Sequence, residues 1–241
     1  KGGWIKMTAR LTAIGFDADD TLWHNERFFA LTQEHFAALL AEHTEKDHLM
    51  ERLLVAERRN IPHYGFGIKG FTLSMIETAI EITDGKVPAG VIQEILEAGR
   101  EMLSHPVELL PHAVDALEAL RTDHRLVLIT KGDLLDQTRK LEESGLRGYF
   151  DAVEIVSHKR PGEYAEIFAR HGTGAETALM VGNSMASDVV PMIEAGGWGV
   201  HVPHDLVWDI EHADDPEEAD RFHRIPDLGA LPDLVAELLR A

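Results

Sequence analysis

The chain has 241 residues, 42 acidic against 23 basic, a formal net charge of −19, and no cysteine. This balance argues against nucleic-acid binding, which depends on Lys and Arg to neutralise phosphates, and the missing thiols exclude disulfides, thiolate catalysis and cysteine-zinc sites. No apolar run approaches the roughly 20 residues of a membrane helix, so no membrane partner is expected.

An apolar content of 44% is ordinary for a globular protein and allows a full core. No basic-then-apolar leader is read at the start. Residues 1–6 read as a cloning scar with Met7 as the native start, and a cytoplasmic enzyme is the expectation. An anionic substrate would need a local positive site, because the overall field repels it.

The first element is the apolar run 11–16, which has the character of a buried strand and breaks into Asp17, Asp19 and Asp20, with Thr21 beside them. Clustered carboxylates repel one another and resist burial, so stability alone does not explain them. A bound cation or a demanding reaction does. Alternate residues of an extended chain share a side, which makes Asp17 and Asp19 a pair, one to attack and one to move protons. Asp20 is at least as well suited to capping the turn that follows.

From Trp23 to about His105 apolar residues recur at helical spacing, for example Phe28, Leu31, Phe36, Leu39 and Leu40, and later Met75, Ile76, Ala79 and Ile80. From Pro111 onward short β-rich runs alternate with helices. The pattern predicts helix 112–122, strand 125–130, helix 134–144, strand 152–156, helix 163–171, strand 177–182, helix 186–195, strand 198–202 and a terminal helix 230–240. Alternation of this kind implies βαβ units and a parallel sheet. The expectation is therefore a three-layer, Rossmann-like α/β core formed by 7–23 and 106–241, with an all-helical cap, 24–105, inserted after the first strand. The acidic segment 209–220 reads as a solvated loop.

Ligands of an open parallel sheet bind beyond the carboxyl ends of its strands. The residues expected there are Asp17-x-Asp19-x-Thr21, Thr130-Lys131, His158-Lys159-Arg160-Pro161 and Gly182-Asn183-Ser184-x-x-x-Asp188. With this set the chain resembles the haloacid dehalogenase (HAD) superfamily, which is dominated by Mg-dependent phosphatases. All four of its motifs stand in order at strand ends, over residues 11–22 and 107–205. The resemblance implies a Mg²⁺-dependent hydrolase of a small phosphorylated metabolite that works through an aspartyl-phosphate.

Phosphate-ester cleavage needs a nucleophile, charge neutralisation at the phosphoryl group and a proton for the leaving oxygen. Asp17 would attack, and Asp19 would supply the proton and then activate water. Thr130 and backbone amides would hold the phosphoryl oxygens, with Lys159 as the fixed counter-charge. Mg²⁺ takes oxygen ligands, and the resemblance assigns them to Asp17, the backbone carbonyl of Asp19 and Asp188, with Asn183 beside them. Lys131 and, from the helical block, Lys69 are further candidates for substrate contact.

Three departures stand out: Asn183 replaces a frequent acid, Arg160 separates Lys159 from Pro161, and Lys131 replaces a frequent Asn. The dehalogenases of the superfamily carry Asp-x-Tyr where this chain has Asp17-x-Asp19, since halide leaves without a proton, so dehalogenation is disfavoured. A phosphotransferase or mutase shares the same core motifs, and a binding protein that has lost turnover is the non-enzyme alternative. Gly65-x-Gly67-x-x-Gly70 fits a dinucleotide fingerprint but follows no strand. It reads as a loop between helices that presents Lys69, with Arg59, His63 or Tyr64, to a substrate. The 14 histidines include no His-Glu-x-x-His and are expected in structural or exposed roles. Nothing in the sequence sets an oligomeric state.

Overall fold

A computed structural model of the chain describes residues 11–216 and 219–240. The expected scar and native start at 1–7 lie outside the described residues. The centre is a six-stranded, wholly parallel sheet in the order β3-β2-β1-β4-β5-β6. Its strands are β1 (Ala13–Phe16), β2 (Arg125–Lys131), β3 (Ala152–Val156), β4 (Ala178–Gly182), β5 (Trp198–His201) and β6 (Phe222–Arg224). Helices α1 (Glu26–Leu39), α2 (Lys46–Tyr64), α3 (Ile68–Ile82) and α4 (Ala89–Met102) follow β1 in the chain, before the other strands. Helices α5 (Ala113–Leu120), α6 (Leu134–Glu143), α7 (Pro161–His171), α8 (Val190–Glu194) and α9 (Leu231–Leu238) flank it.

The two-residue period of the strands builds both faces of the core. Ile14, Phe16, Leu126, Leu128, Leu179 and Val181 join one buried cluster with Leu117 of α5 and Val235 of α9. Ala13, Val127, Ile129, Ala178 and Met180 point the other way, into a cluster with Tyr164 and Phe168 of α7 and Met192 of α8. A strand covered on both faces reads as a continuous apolar run, which is why β1, β2 and β4 are so visible in the sequence. Cutting one of these side chains to alanine, Leu128 for instance, is expected to cost about 2–5 kcal/mol.

The inserted helices have a core of their own, in which Phe36, Leu40, Leu49, Leu53, Phe71, Met75, Ile95 and Met102 pack together. Among the described residues no helix is long and apolar enough to cross a membrane.

The structure corrects the expected elements in three places. The helix expected over 186–195 begins as a π-helical turn, Met185–Val189, before α8. The short edge strand β6 was not foreseen, since three residues carry no periodic signal. Only Gly65 and Gly67 of the glycine-rich stretch lie in a loop, both at positive φ, whereas Gly70 is already inside α3.

Candidate active site

β1 sits between β2 and β4. The chain moves to one side of it for β2 and β3 and returns to the other for β4 to β6. Loops from its two neighbours therefore diverge at its carboxyl end and leave a crevice there. A cavity of about 140 Å³ opens at this point, lined by Asp17, Asp19, Thr130, Lys131, Lys159, Asn183 and Asp188 from the sheet side. Phe29, Glu57, Phe66, Ile68 and Phe71 line it from the helical side, with Trp208 from the loop after β5.

Asp17 is buried, its backbone N–H donating to Val181 O at 2.9 Å. Lys159 donates to Asp17 Oδ1 at 2.5 Å and to Asp188 Oδ1 at 2.7 Å. Thr21 donates to Asp17 Oδ2 at 3.1 Å and accepts the N–H of Asn183 at 3.1 Å, tying the first and fourth loops together. Asp188 Oδ2 in turn accepts the N–H of Ser184 at 3.0 Å. Gly182 is required here, because a Cβ at that position would stand 2.1 Å from Asp188 Oδ2.

Two carboxylates thus share one lysine in a buried space. Burial, then the charge of Asp188, push the Asp17 carboxyl up to about 7 against the opposing pull of Lys159. The Lys159 ammonium is held well above its ordinary range, because the two carboxylates overcome the burial that would lower it. The surplus of buried oxygen donors over positive charge suits a hard divalent cation: Asp17 and Asp188 offer carboxylates, with the Asn183 amide nearby and Asp19 on the same cavity wall.

Asp19 shares the cavity but not these partners. Its Oδ1 accepts from Trp23 Nε1 at 2.7 Å and Lys140 Nζ at 2.7 Å, and its Oδ2 from Gln137 Nε2 at 2.8 Å. Burial alone would raise its pKa; the charge and hydrogen bond of Lys140, with Gln137 and Trp23, outweigh it and hold the carboxyl below its usual value. Lys140 and Gln137 belong to α6, and no motif marks them in the sequence. Their signal was available: Asp133, Asp136, Gln137 and Lys140 form one polar stripe at helical spacing just after the Thr130 strand end.

Asp20 takes the capping role. It adopts φ 60° and accepts the N–H of Asn25 at 2.8 Å and of Glu26 at 2.9 Å, at the start of α1.

Two substrate candidates are already engaged. Lys131 lines the cavity but donates to Ser187 Oγ at 2.7 Å and Glu211 Oε1 at 2.5 Å, and its ammonium lies 4.0 Å from the Phe66 ring centre. Lys69 is exposed and pairs with Asp133 at 2.9 Å, which links α3 to the N-terminus of α6 instead of lining the cavity. Of the other residues expected to face substrate, Arg59 pairs with Glu77 and Glu81, and His63 and Tyr64 are exposed. Thr130 is almost wholly buried and lines the cavity at the end of β2.

The acidic segment after β5 is largely exposed, as expected of a solvated loop or edge, but one of its residues departs from that reading. Glu211 turns inward and accepts from Lys131, Ser184 and Ser187. Burial opposes its ionisation, but Lys131 and the two hydroxyls hold its carboxyl low. Trp208, just before this segment, closes one wall of the cavity.

Comparisons with known proteins fit this geometry. The haloacid dehalogenase-like hydrolase family profile matches residues 11–196. A haloacid dehalogenase-like family hydrolase from Xanthomonas campestris superposes with a TM-score of 0.85 at 41% identity, over 95% of this chain and 92% of that one. The pyrimidine 5'-nucleotidase YjjG of Escherichia coli K12 is 27% identical over 192 residues, 76% of this chain and 82% of that protein. The HAD-hydrolase YfnB of Bacillus subtilis, whose structure was solved bound to magnesium, shares the fold with a TM-score of 0.66 at 16% identity, over 94% of this chain and 99% of that one.

Proposed function

The chain belongs to the haloacid dehalogenase-like hydrolase family, and from that premise we propose that it is a Mg²⁺-dependent phosphatase of a small phosphorylated metabolite. The observation that carries this reading is the division between the two acids of the first motif. Asp17 meets Lys159 and Asp188 in one buried group, while Asp19 faces the same cavity held by Lys140. A nucleophile and a separate proton carrier are what an alkoxide leaving group requires.

In the first step an Asp17 carboxylate oxygen bonds to phosphorus as the ester P–O bond breaks, and the protonated form of Asp19, which the second step regenerates, passes its proton to the departing oxygen. In the second, Asp19 takes a proton from water as the water oxygen attacks the aspartyl-phosphate, which releases Asp17 and inorganic phosphate. Thr130 and Lys159 hold the phosphoryl oxygens, and Lys159 keeps positive charge beside them throughout. Asp17, Asp188, the Asp19 backbone carbonyl and Asn183 would hold Mg²⁺, which when bound neutralises phosphoryl charge.

Helices α1–α4, residues 24–105, act as a cap over a core formed by 7–23 and 106–241. Their separate hydrophobic core supports this, as does their contribution of one wall of the cavity. Closure would exclude water from the reacting group.

A nucleoside monophosphate is a second substrate class to test. The aromatic wall of Phe29, Phe66, Phe71 and Trp208 favours it, and the similar Escherichia coli protein is a pyrimidine 5'-nucleotidase.

The test is a panel of sugar, alkyl and nucleoside monophosphates assayed for phosphate release with and without Mg²⁺, with Asp17→Asn alongside. Metal-dependent release that the variant abolishes is expected. Release without metal, or undiminished release by Asp17→Asn, would overturn the mechanism. Isomerisation of a sugar phosphate without phosphate release would instead mark a mutase.

A further inference from the structure

Beside the phosphoryl cavity, Asp20, His24 and His204 turn one ligand atom each toward a common point, all within 4.8 Å of one another. The geometry points to a second cation site here, for a divalent transition metal of the zinc, cobalt or nickel type. It is separate from the oxygen-lined position between Asp17 and Asp188.

The residues come from two parts of the chain that the fold brings together. Asp20 and His24 lie in the connector from β1 to α1, and His204 in the loop after β5. The Asp20 carboxylate and the His204 ring are held in place without the ion, and His24 is anchored through its backbone. Asp20 is buried and fixed by the N–H groups of Asn25 and Glu26. The backbone N–H of His24 donates to Glu108 O at 2.9 Å. His204 Nδ1 lies 2.9 Å from Leu206 O and 3.2 Å from the Leu206 N–H, which turns its other nitrogen, Nε2, to within 3.5 Å of Asp20 Oδ1. The two imidazoles meet edge to face, their ring centres 6.1 Å apart.

Ligand atoms around a tetrahedral zinc at its usual N and O bond lengths lie about 3.3 Å apart. The His204–Asp20 pair already stands at nearly that separation, and the His24 ligand atom lies within 4.8 Å of both. Water would complete the coordination. The donor set selects the metal: imidazole suits zinc, nickel and cobalt, whereas Mg²⁺ prefers oxygen and keeps its waters. An ion here would tie the connector of the helical unit to the β5 loop and so restrain that unit's movement over the cavity. Binding itself does not depend on the phosphatase reading.

Cobalt(II) is the probe, because its visible absorption reports nitrogen ligation and coordination number directly. The intact chain is titrated with Co²⁺ in millimolar Mg²⁺, which saturates the oxygen-donor position. One ion per chain with an intense low-coordinate spectrum, displaced by Zn²⁺, is expected. His24→Ala and His204→Ala should each weaken binding by at least about 10-fold, and a His43→Ala control, altering an exposed histidine of the helical unit, should leave it unchanged. Asp188→Asn should keep the spectrum.

Unaltered binding in a His24→Ala, His204→Ala double variant would overturn the site and mark surface histidines as the source. Loss of the spectrum in Asp188→Asn would overturn it by placing the cobalt in the phosphoryl cavity. Where His204→Ala fails to fold by circular dichroism, His204→Gln serves in its place, with the same loss expected.

Discussion

Lys140, in the last turn of α6, places its ammonium 2.7 Å from Asp19 Oδ1 and so biases the charge of the residue that handles protons in the proposed mechanism. The contact favours the ionised form of Asp19, which accepts a proton from water, and opposes the protonated form, which delivers one to a leaving group. Lys140→Met removes the largest lowering influence and is expected to raise the Asp19 pKa. The limb of the rate profile that follows Asp19 ionisation should then move to higher pH with alkyl phosphates. It should stay in place with an activated aryl phosphate, whose leaving group needs no proton. Profiles of kcat/KM for the two ester types measure this; equal shifts for both would show that Lys140 acts on binding alone.

Asp17 illustrates an opposition between activity and stability. Its carboxyl is raised from 3.8 to about 7 by burial and by Asp188, so between those values the folded protein binds a proton that the unfolded chain has released. That contribution to stability is complete below pH 3.8 and is lost as pH rises through about 7. Asp17→Asn should therefore abolish turnover, by about 1,000-fold or more. It should also stabilise the metal-free protein at pH 8, by roughly 4 kcal/mol at most on the scale of 1.36 kcal/mol per pKa unit. At pH 4 the gain should vanish. Thermal unfolding of the two metal-free proteins at the two pH values decides it.

Lys159→Met leaves Asp17 and Asp188 buried without the cation they share. Breaking a buried pair in this way costs about 3–5 kcal/mol. Mg²⁺ entering between the carboxylates would take over part of the neutralisation, so the variant's Tm is expected to rise more on adding Mg²⁺ than that of the parent. An equal or smaller rise would place the cation elsewhere.

The residues at the strand ends were legible because the physics that places them is local. A doubly covered strand must be apolar throughout, so the polar residue that ends it stands out, as Asp17 follows Phe16 and Thr130 follows Ile129. Partners supplied by packing were less visible. Lys140 and Gln137 meet Asp19 from a helix more than a hundred residues away, and only the facing of α6 reveals them. Glu211 was hidden for another reason. In a stretch as acidic as 209–220 one carboxylate looks like the next, and the one turned inward is chosen by Lys131, Ser184 and Ser187, on other strand-end loops. The start of the helix after β4 was obscured by its π-helical turn, a departure from the regular spacing.

Glu57, on α2, brings a carboxyl to the helical wall of the cavity, where burial raises it to about 7 in spite of a hydrogen bond from Trp208. Glu26 beside the same cavity is raised to about 8, first by burial and then by the charges of Asp20 and Glu57. Both are protonated more readily in the folded chain than in the unfolded one. Their contribution to stability is therefore complete below the ordinary 4.5 and is lost as pH climbs through 7 and 8. Glu57→Gln keeps the shape and the acceptor for Trp208 while removing the ionisation. It is expected to leave Tm unchanged at pH 4, to raise it at pH 8 by the equivalent of at most about 3 kcal/mol, and to flatten the fall between. A variant that loses stability equally at both pH values would show that Glu57 contributes to the fold through its hydrogen bond, with its charge already balanced.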